Sequence, residues 1–182
     1  MLKFENVSTN VKRTEGFHFV SIGSLIYGKR MDLLIEAFYN AFCNKPDVKL
    51  IIIGDGNQKE ELSRQIRYLK MTNQIALLGI KRREEISKLL QQSDCFVLAS
   101  KSETFGLSYI EAMSFGLPII ATKCGGPIDF VSEQNGILIE VDNKEELVIS
   151  LKYMEKYSKD KYNKLEIQKS VINKYSRDRK ST

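Results

Sequence analysis

The sequence predicts an α/β fold, a doubly wound, Rossmann-like parallel sheet of about six strands. Two observations predict it. Short apolar runs alternate with longer amphipathic ones along nearly the whole chain, the pattern of strand–helix repeats joined by right-handed crossovers. In VKLIIIG, residues 48–54, β-branched residues follow one another with hardly a polar break, as in a strand buried on both faces.

The elements follow in order. FHFVSI (17–22) is the first strand, and MDLLIEAFYNAF (31–42), with apolar residues at helical spacing, is the first helix. VKLIIIG is the second strand and QKEELSRQIRYLKM (58–71) the helix that returns from it. QIALLG (74–79) is a third strand and REEISKLLQQ (83–92) its helix. DCFVLAS (94–100) is a fourth strand, and a helix starts after Phe105-Gly106-Leu107. LPIIAT (117–122) and GILIEV (136–141) are the fifth and sixth strands, and NKEELVISLKYMEKY (143–157) is a helix followed by a basic, helical segment. Residues 17–176 thus form one domain, with 1–16 a linker or tail and 177–182 a tail.

Length and composition agree with a single soluble domain: 182 residues, 42% apolar and 28% charged. No apolar run approaches the roughly 20 residues of a membrane span, and the mixed start MLKFENVSTN carries no export signal. Cys43, Cys95 and Cys124 are too scattered for a disulfide framework or zinc site, and His18 is the one histidine. A reducing cytoplasm is the expected compartment. Of the net charge of +5, residues 152–180 hold ten Lys or Arg against four Asp or Glu, so the body is close to neutral. That excludes a basic nucleic-acid-binding body. The basic end offers contact to anionic lipid headgroups at the inner face of a membrane, or to an acidic partner; a solvated helix is the plainer reading.

In an open parallel sheet, ligands lie beyond the carboxyl ends of the strands. The loops there are 23–30, 54–57, 79–82, 100–107 and 122–128. The first, GSLIYGKR, nearly spells a phosphate loop, with Gly23, Gly28 and Lys29 in place. Arg30 stands where such a loop needs a metal-binding Ser or Thr, and the interior LIY is bulky. A nucleotide hydrolase is therefore the weaker alternative. What survives is that Gly23 lets backbone approach a ligand and that Lys29 and Arg30 meet phosphate charge, against the simpler role of solvated loop cations.

The stretch SETFGLSYIEAMSFGLP, residues 102–118, carries Glu103 and Glu111 with seven residues between them. Glu103 follows a strand end, and Gly106 opens a helix whose N-terminus favours an anion. A carboxylate accepts two hydroxyl protons from a vicinal diol. Two of them beside one anion-binding helix end suit hydroxyls on both sides of a diphosphate. On spacing alone, a helix-capping acid at 103 and a partly buried structural carboxylate at 111 are the favoured readings.

These residues resemble a known family. Glu103-Thr104-Phe105-Gly106, then Glu111-Ala112-Met113, Gly116-Leu117-Pro118 and Gly125-Gly126-Pro127 together are similar to the nucleotide-sugar-binding half of a retaining, GT-B-fold glycosyltransferase of family 4. The resemblance spans roughly residues 17–176. It implies sugar transfer from a UDP- or GDP-sugar to an acceptor hydroxyl in polysaccharide, lipopolysaccharide or glycolipid synthesis, without a metal or other cofactor. It implies that Glu111 binds the ribose hydroxyls and Glu103 the donor sugar. Phe105, Gly106 and Leu107 then offer backbone N–H groups to sugar and diphosphate, Lys29 neutralises the diphosphate, Ile80 and Lys81 read the base edge, and Gly125-Gly126 face the cleft. Two positions depart from the family pattern: Ser24 replaces an arginine, leaving the phosphates to Lys29 with Arg30, and Asp129 replaces a glutamate. The family's first, acceptor-binding domain has no counterpart in this length. A binding-only module that holds a nucleotide-sugar without turnover is therefore a further alternative.

Overall fold

The computed structural model describes residues 15–175. Of the expected terminal segments, 1–14 and 177–182 lie outside the described residues, as do the basic residues Arg177, Arg179 and Lys180. Six strands, β1 (Phe17–Ile22), β2 (Val48–Ile53), β3 (Ile75–Leu77), β4 (Cys95–Leu98), β5 (Ile119–Thr122) and β6 (Gly136–Ile139), form one sheet in the order β3-β2-β1-β4-β5-β6. Every pairing is parallel. The order reverses between β1 and β4, so the two loops that leave those strands open a crevice at their carboxyl ends.

Seven helices connect and cover the sheet among the described residues: α1 (Met31–Phe42), α2 (Lys59–Tyr68), α3 (Arg83–Gln91), α4 (Leu107–Ser114), α5 (Pro127–Phe130), α6 (Lys144–Lys161) and α7 (Lys164–Tyr175). None is long and apolar enough to cross a membrane. Apolar spacing selects their buried faces, with Met31, Leu34, Ile35, Phe38 and Phe42 of α1 almost fully enclosed, and Leu62 and Ile66 on α2. The Asn143 side chain caps α6 by accepting the N–H of Glu146 at 3.0 Å. α6 runs four residues beyond its expected end at 157 and stops at Tyr162, where the Asn163 side chain accepts the N–H of Leu165 and starts α7.

β1 spans the residues the sequence suggests, and the other five strands are shorter. β3 keeps three residues because it is an edge strand with Ala76 exposed. β4 ends at Leu98, and the still buried Ala99 and Ser100 leave the ladder to enter the β4–α4 loop. Two anchors set the crevice walls. Phe19 of β1 packs with Phe38 and Phe42 of α1, ring centroids 6.2 and 5.8 Å apart, fixing the β1–α1 unit. Tyr109 of α4 is fully buried against Phe96 of β4 at 5.2 Å, and its hydroxyl donates to Leu98 O at 2.8 Å. With the buried Ala112 and Met113 of the same helix, that side chain seats α4 on the sheet.

Candidate active site

The β1–α1 loop is folded inward rather than open as a phosphate cradle. Leu25 lies in the core with 1% of its surface exposed, and its N–H donates to Asp55 O at 2.8 Å. A 3-10 turn, Tyr27–Lys29, then carries the chain into α1. Between them stands Arg30, left-handed at φ 50°, a conformation that costs a non-glycine residue energy. Its guanidinium is held by Asp32 and by Asp142, the latter also left-handed at φ 60°. The Lys101 amine bonds Asp142 at 3.0 Å and sits 4.7 Å from the Tyr27 ring centroid. Arg30 is thus committed to carboxylates that tie three loops together, and the expectation that it shares the phosphates with Lys29 meets a guanidinium already engaged.

Lys29 behaves differently. Its amine crosses from the β1 loop to the β4 loop and pairs with Glu103 Oε1. The Ser100 hydroxyl donates to that same oxygen at 2.8 Å. The side chain of Glu103 is only 11% exposed, so its charge rests on these two donors. Ser100 is itself fully buried, and Thr122 Oγ1 donates to its carbonyl at 2.5 Å.

The glycine loop after β5 is laid against Glu103 by backbone bonds. Glu103 N donates to Cys124 O at 2.9 Å and Gly126 N donates to Glu103 O at 2.8 Å. A Cβ on Gly125, where φ is +90°, would stand 2.4 Å from Glu103 O; one on Gly126 would stand 2.9 Å from Thr104 O. Both glycines are therefore required by loop-on-loop contact, a reason nearer than the cleft-facing role expected for them. Gly23 is the opposite case. A Cβ there meets only side chains at ordinary contact distance, the far end of Met31 at 3.5 Å and the Lys29 stem at 3.8 Å, so packing does not demand a glycine.

Gly106 caps α4 in the left-handed region, φ 67°, with the Phe130 and Tyr109 rings 3.1 Å from where a Cβ would stand. The helix then runs from Leu107, presenting its first-turn N–H groups toward the crevice end of the sheet. Phe105 and Leu107 are 71% and 74% exposed, an arrangement that apolar packing within this chain does not explain. Glu111, half-buried on α4, makes no side-chain hydrogen bond or ion pair among the described residues.

Of the other expected residues, Ser24 is exposed beside Gly23. Ile80, 79% exposed, and Lys81 follow β3, two strands from β1, or roughly 10 Å across the same end of the sheet. The Lys81 amine lies 3.7 Å from Glu85. Asp129 falls on the short helix α5. Cys43, Cys95 and Cys124 are free thiols, and burial raises the pKa of Cys124 and Cys95. The structure thus brings Lys29, Glu103, the glycine loop and the start of α4 together, and sets Ile80-Lys81 further along the rim.

Sequence reasoning missed Ser100, Thr122 and Tyr109. Ser100 read as the end of an apolar strand, although a hydroxyl three residues before a glutamate at a strand exit was a signal for it.

The chain's similarities to known proteins agree with this geometry. The family model described as "Glycosyl transferases group 1" matches residues 3–171. The alpha-monoglucosyldiacylglycerol synthase of Acholeplasma laidlawii is 34% identical over 137 residues, 75% of this chain and 34% of that protein. The crystal structure of the C-terminal domain of a glycosyl transferase group 1 family protein (LpcC) from Francisella tularensis superposes with a TM-score of 0.77 at 26% identity, covering 91% of this chain and 89% of that one. A TarM mutant from S. aureus, in complex with UDP among other ligands, gives a TM-score of 0.78 at 26% identity over 96% of this chain and 35% of its own. The chain spans about a third of the length of the curated relatives it matches, between 31% and 39% for the first three.

Proposed function

The chain belongs to the glycosyl transferases group 1 family, and from that membership and the site's geometry we propose that it is the donor-binding half of a retaining GT-B transferase. The donor is a UDP- or GDP-sugar, and the acceptor hydroxyl belongs to a glycolipid or a polysaccharide precursor. The observation that carries this reading is the meeting of Lys29 and Glu103 across the β1/β4 switch point, at the start of α4.

Each group has a physical task. The leaving group is a nucleoside diphosphate, whose charge grows as the glycosidic bond to it breaks. Lys29 and the first-turn N–H groups of α4 stand where fixed positive charge stabilises that growth. Glu111 keeps an unoccupied pair of acceptor oxygens for the ribose diol. Glu103 takes sugar hydroxyls and so orients the ring; no group here is assigned as a nucleophile. Gly23 leaves room for a ligand beside the end of β1, and Ile80-Lys81 present backbone to the base. Metal independence belongs to the same reading, since Lys29 and the helix end supply positive charge at the diphosphate.

The acceptor side, on this reading, comes from a separate domain absent from these 182 residues. A second reading for the isolated chain is binding without turnover, since Ser24 stands where the family pattern has an arginine. Residence in the cytoplasm, with the exposed lysines 152, 156 and 159 of α6 near anionic lipid, completes the proposal.

A thermal-shift panel of UDP, GDP and their sugar conjugates, with and without chelator, tests it. A selective ligand raises the melting temperature in proportion to its affinity, and the shift should survive chelation. No shift with any nucleotide contradicts the proposal, and a shift abolished by chelator would revive the phosphate-loop alternative.

A further inference from the structure

We propose that the Lys29–Glu103 ion pair, steadied by Ser100, makes the site prefer the nucleotide-sugar over the bare nucleoside diphosphate that transfer leaves behind; this inference rests on the donor-site reading above. The starting observation is that one carboxylate oxygen, Glu103 Oε1, receives both the Lys29 amine and the Ser100 hydroxyl. Lys29 is therefore not a free cation waiting for phosphate. Its side chain is 22% exposed and that of Glu103 only 11%, so separating them leaves a poorly solvated carboxylate behind.

Consider the two ligands in turn. A bare diphosphate draws Lys29 toward itself and gives Glu103 nothing in return. The carboxylate then keeps only the Ser100 hydroxyl, and part of the binding free energy is lost to that unpaired charge. A nucleotide-sugar draws on Lys29 in the same way, but its sugar hydroxyls donate to the carboxylate and replace the amine. The pair thus couples occupation of the phosphate position to occupation of the sugar position. The physical consequence is a site that holds the substrate and weakens its grip once the sugar has left. Ser100 acts through Glu103 as a positioning residue. Its hydroxyl keeps Oε1 oriented in both states, and Thr122 holds the Ser100 backbone in place from β5.

Sign distinguishes this from a simple sum of contacts. If Glu103 and Lys29 acted independently, Glu103→Gln would leave bare diphosphate binding alone. In the coupled site, the substitution frees Lys29 and tightens the bare diphosphate.

Calorimetric titration of the 182-residue chain with UDP and with UDP-glucose, UDP-galactose and UDP-N-acetylglucosamine, and in parallel with GDP and GDP-mannose, tests the coupling. Wild type is expected to favour a conjugate over its own diphosphate. Glu103→Gln is expected to tighten the bare diphosphate by about threefold to tenfold, the range of a partly buried pair, and to erase the preference. In a Lys29→Gln background the same substitution should no longer tighten the diphosphate. Ser100→Ala should weaken the bare diphosphate more than the conjugate and so raise the preference, because only with bare diphosphate bound is the Ser100 hydroxyl the carboxylate's one remaining donor, a split that general loosening of the loop does not produce. Unchanged or weakened diphosphate binding in Glu103→Gln overturns the coupling, as does tightening that persists without Lys29. A wild type that binds diphosphate but prefers no conjugate also overturns it while sparing the donor-site reading. Failure of every nucleotide to bind overturns that reading itself.

Discussion

Glu103 and Glu111 belong to one short stretch, yet the molecule treats them in opposite ways. Glu103 lies in a loop clasped from three directions: Lys29 from the β1 side, Ser100 from its own strand exit and the glycine loop against its backbone. Glu111 rides on α4, positioned by its helix alone, with no partner for its carboxylate among the described residues. A buried anchor, Tyr109, holds the helix, and nothing holds the charge. The difference teaches how to separate structural from ligand-directed acids. A carboxylate that the fold has satisfied changes stability when removed, and it affects ligands through the partner it releases. A carboxylate left open on a rigid element changes ligand affinity with little effect on the fold.

The comparison breaks most completely at Tyr109. Tyr109→Ala removes the ring that seats α4 on β4, at a cost of about 3–5 kcal/mol for a buried aromatic. Chemical denaturation should show this loss, and Glu111, positioned by α4 alone, should lose its effect on ligands. A variant that unfolds at the wild-type denaturant concentration would show that α4 is held by something else.

A smaller effect sharpens the comparison at the glycines. Gly125→Ala sets a Cβ against Glu103 O at a left-handed backbone, so a loss of about 1–3 kcal/mol is expected from strain. Gly23→Ala meets only ordinary contact, and its stability change should stay within about 0.5 kcal/mol. If the proposed donor site is right, nucleotide affinity should still fall in Gly23→Ala, because the methyl group would fill space that the proposal gives to the ligand. Melting curves and titration of the pair of variants check both halves. Equal destabilisation by the two substitutions would contradict the loop-on-loop account.

The parallel sheet was legible because strand runs such as VKLIIIG and helices such as MDLLIEAFYNAF carry their period within a dozen residues. The two glutamates, Lys29 and the glycines were legible as residues, since each marks a strand exit. Their partners were not. Lys29 meets Glu103 across 74 positions and Arg30 meets Asp142 across 112, so neither pairing leaves a local trace. Arg30, expected at the phosphates, is paired with Asp32 and Asp142 in the structure, and the sequence gives no local sign of the second pairing. The glycines also have a packing role that no local pattern announces: a Cβ on Gly125 or Gly126 would meet the backbone of Glu103 or Thr104, 22 positions earlier. The short α5 and the 3-10 turn at Tyr27–Lys29 span less than the period needed to announce a helix.

On the proposed reading, the carboxyl ends of β1 and β4 hold a nucleoside diphosphate, with Glu111 on the ribose diol. Titration of wild type and Glu111→Gln with the preferred nucleoside diphosphate and its 2′-deoxy analogue tests it most directly. Glu111→Gln is expected to weaken the ribonucleotide by about 1.5–3 kcal/mol, the value of a hydrogen bond to a charged group. Wild type should discriminate against the deoxy form, and the variant should lose most of that discrimination while melting close to wild type. Undiminished discrimination in Glu111→Gln, or equal weakening of both nucleotides accompanied by a large drop in melting temperature, would contradict the account.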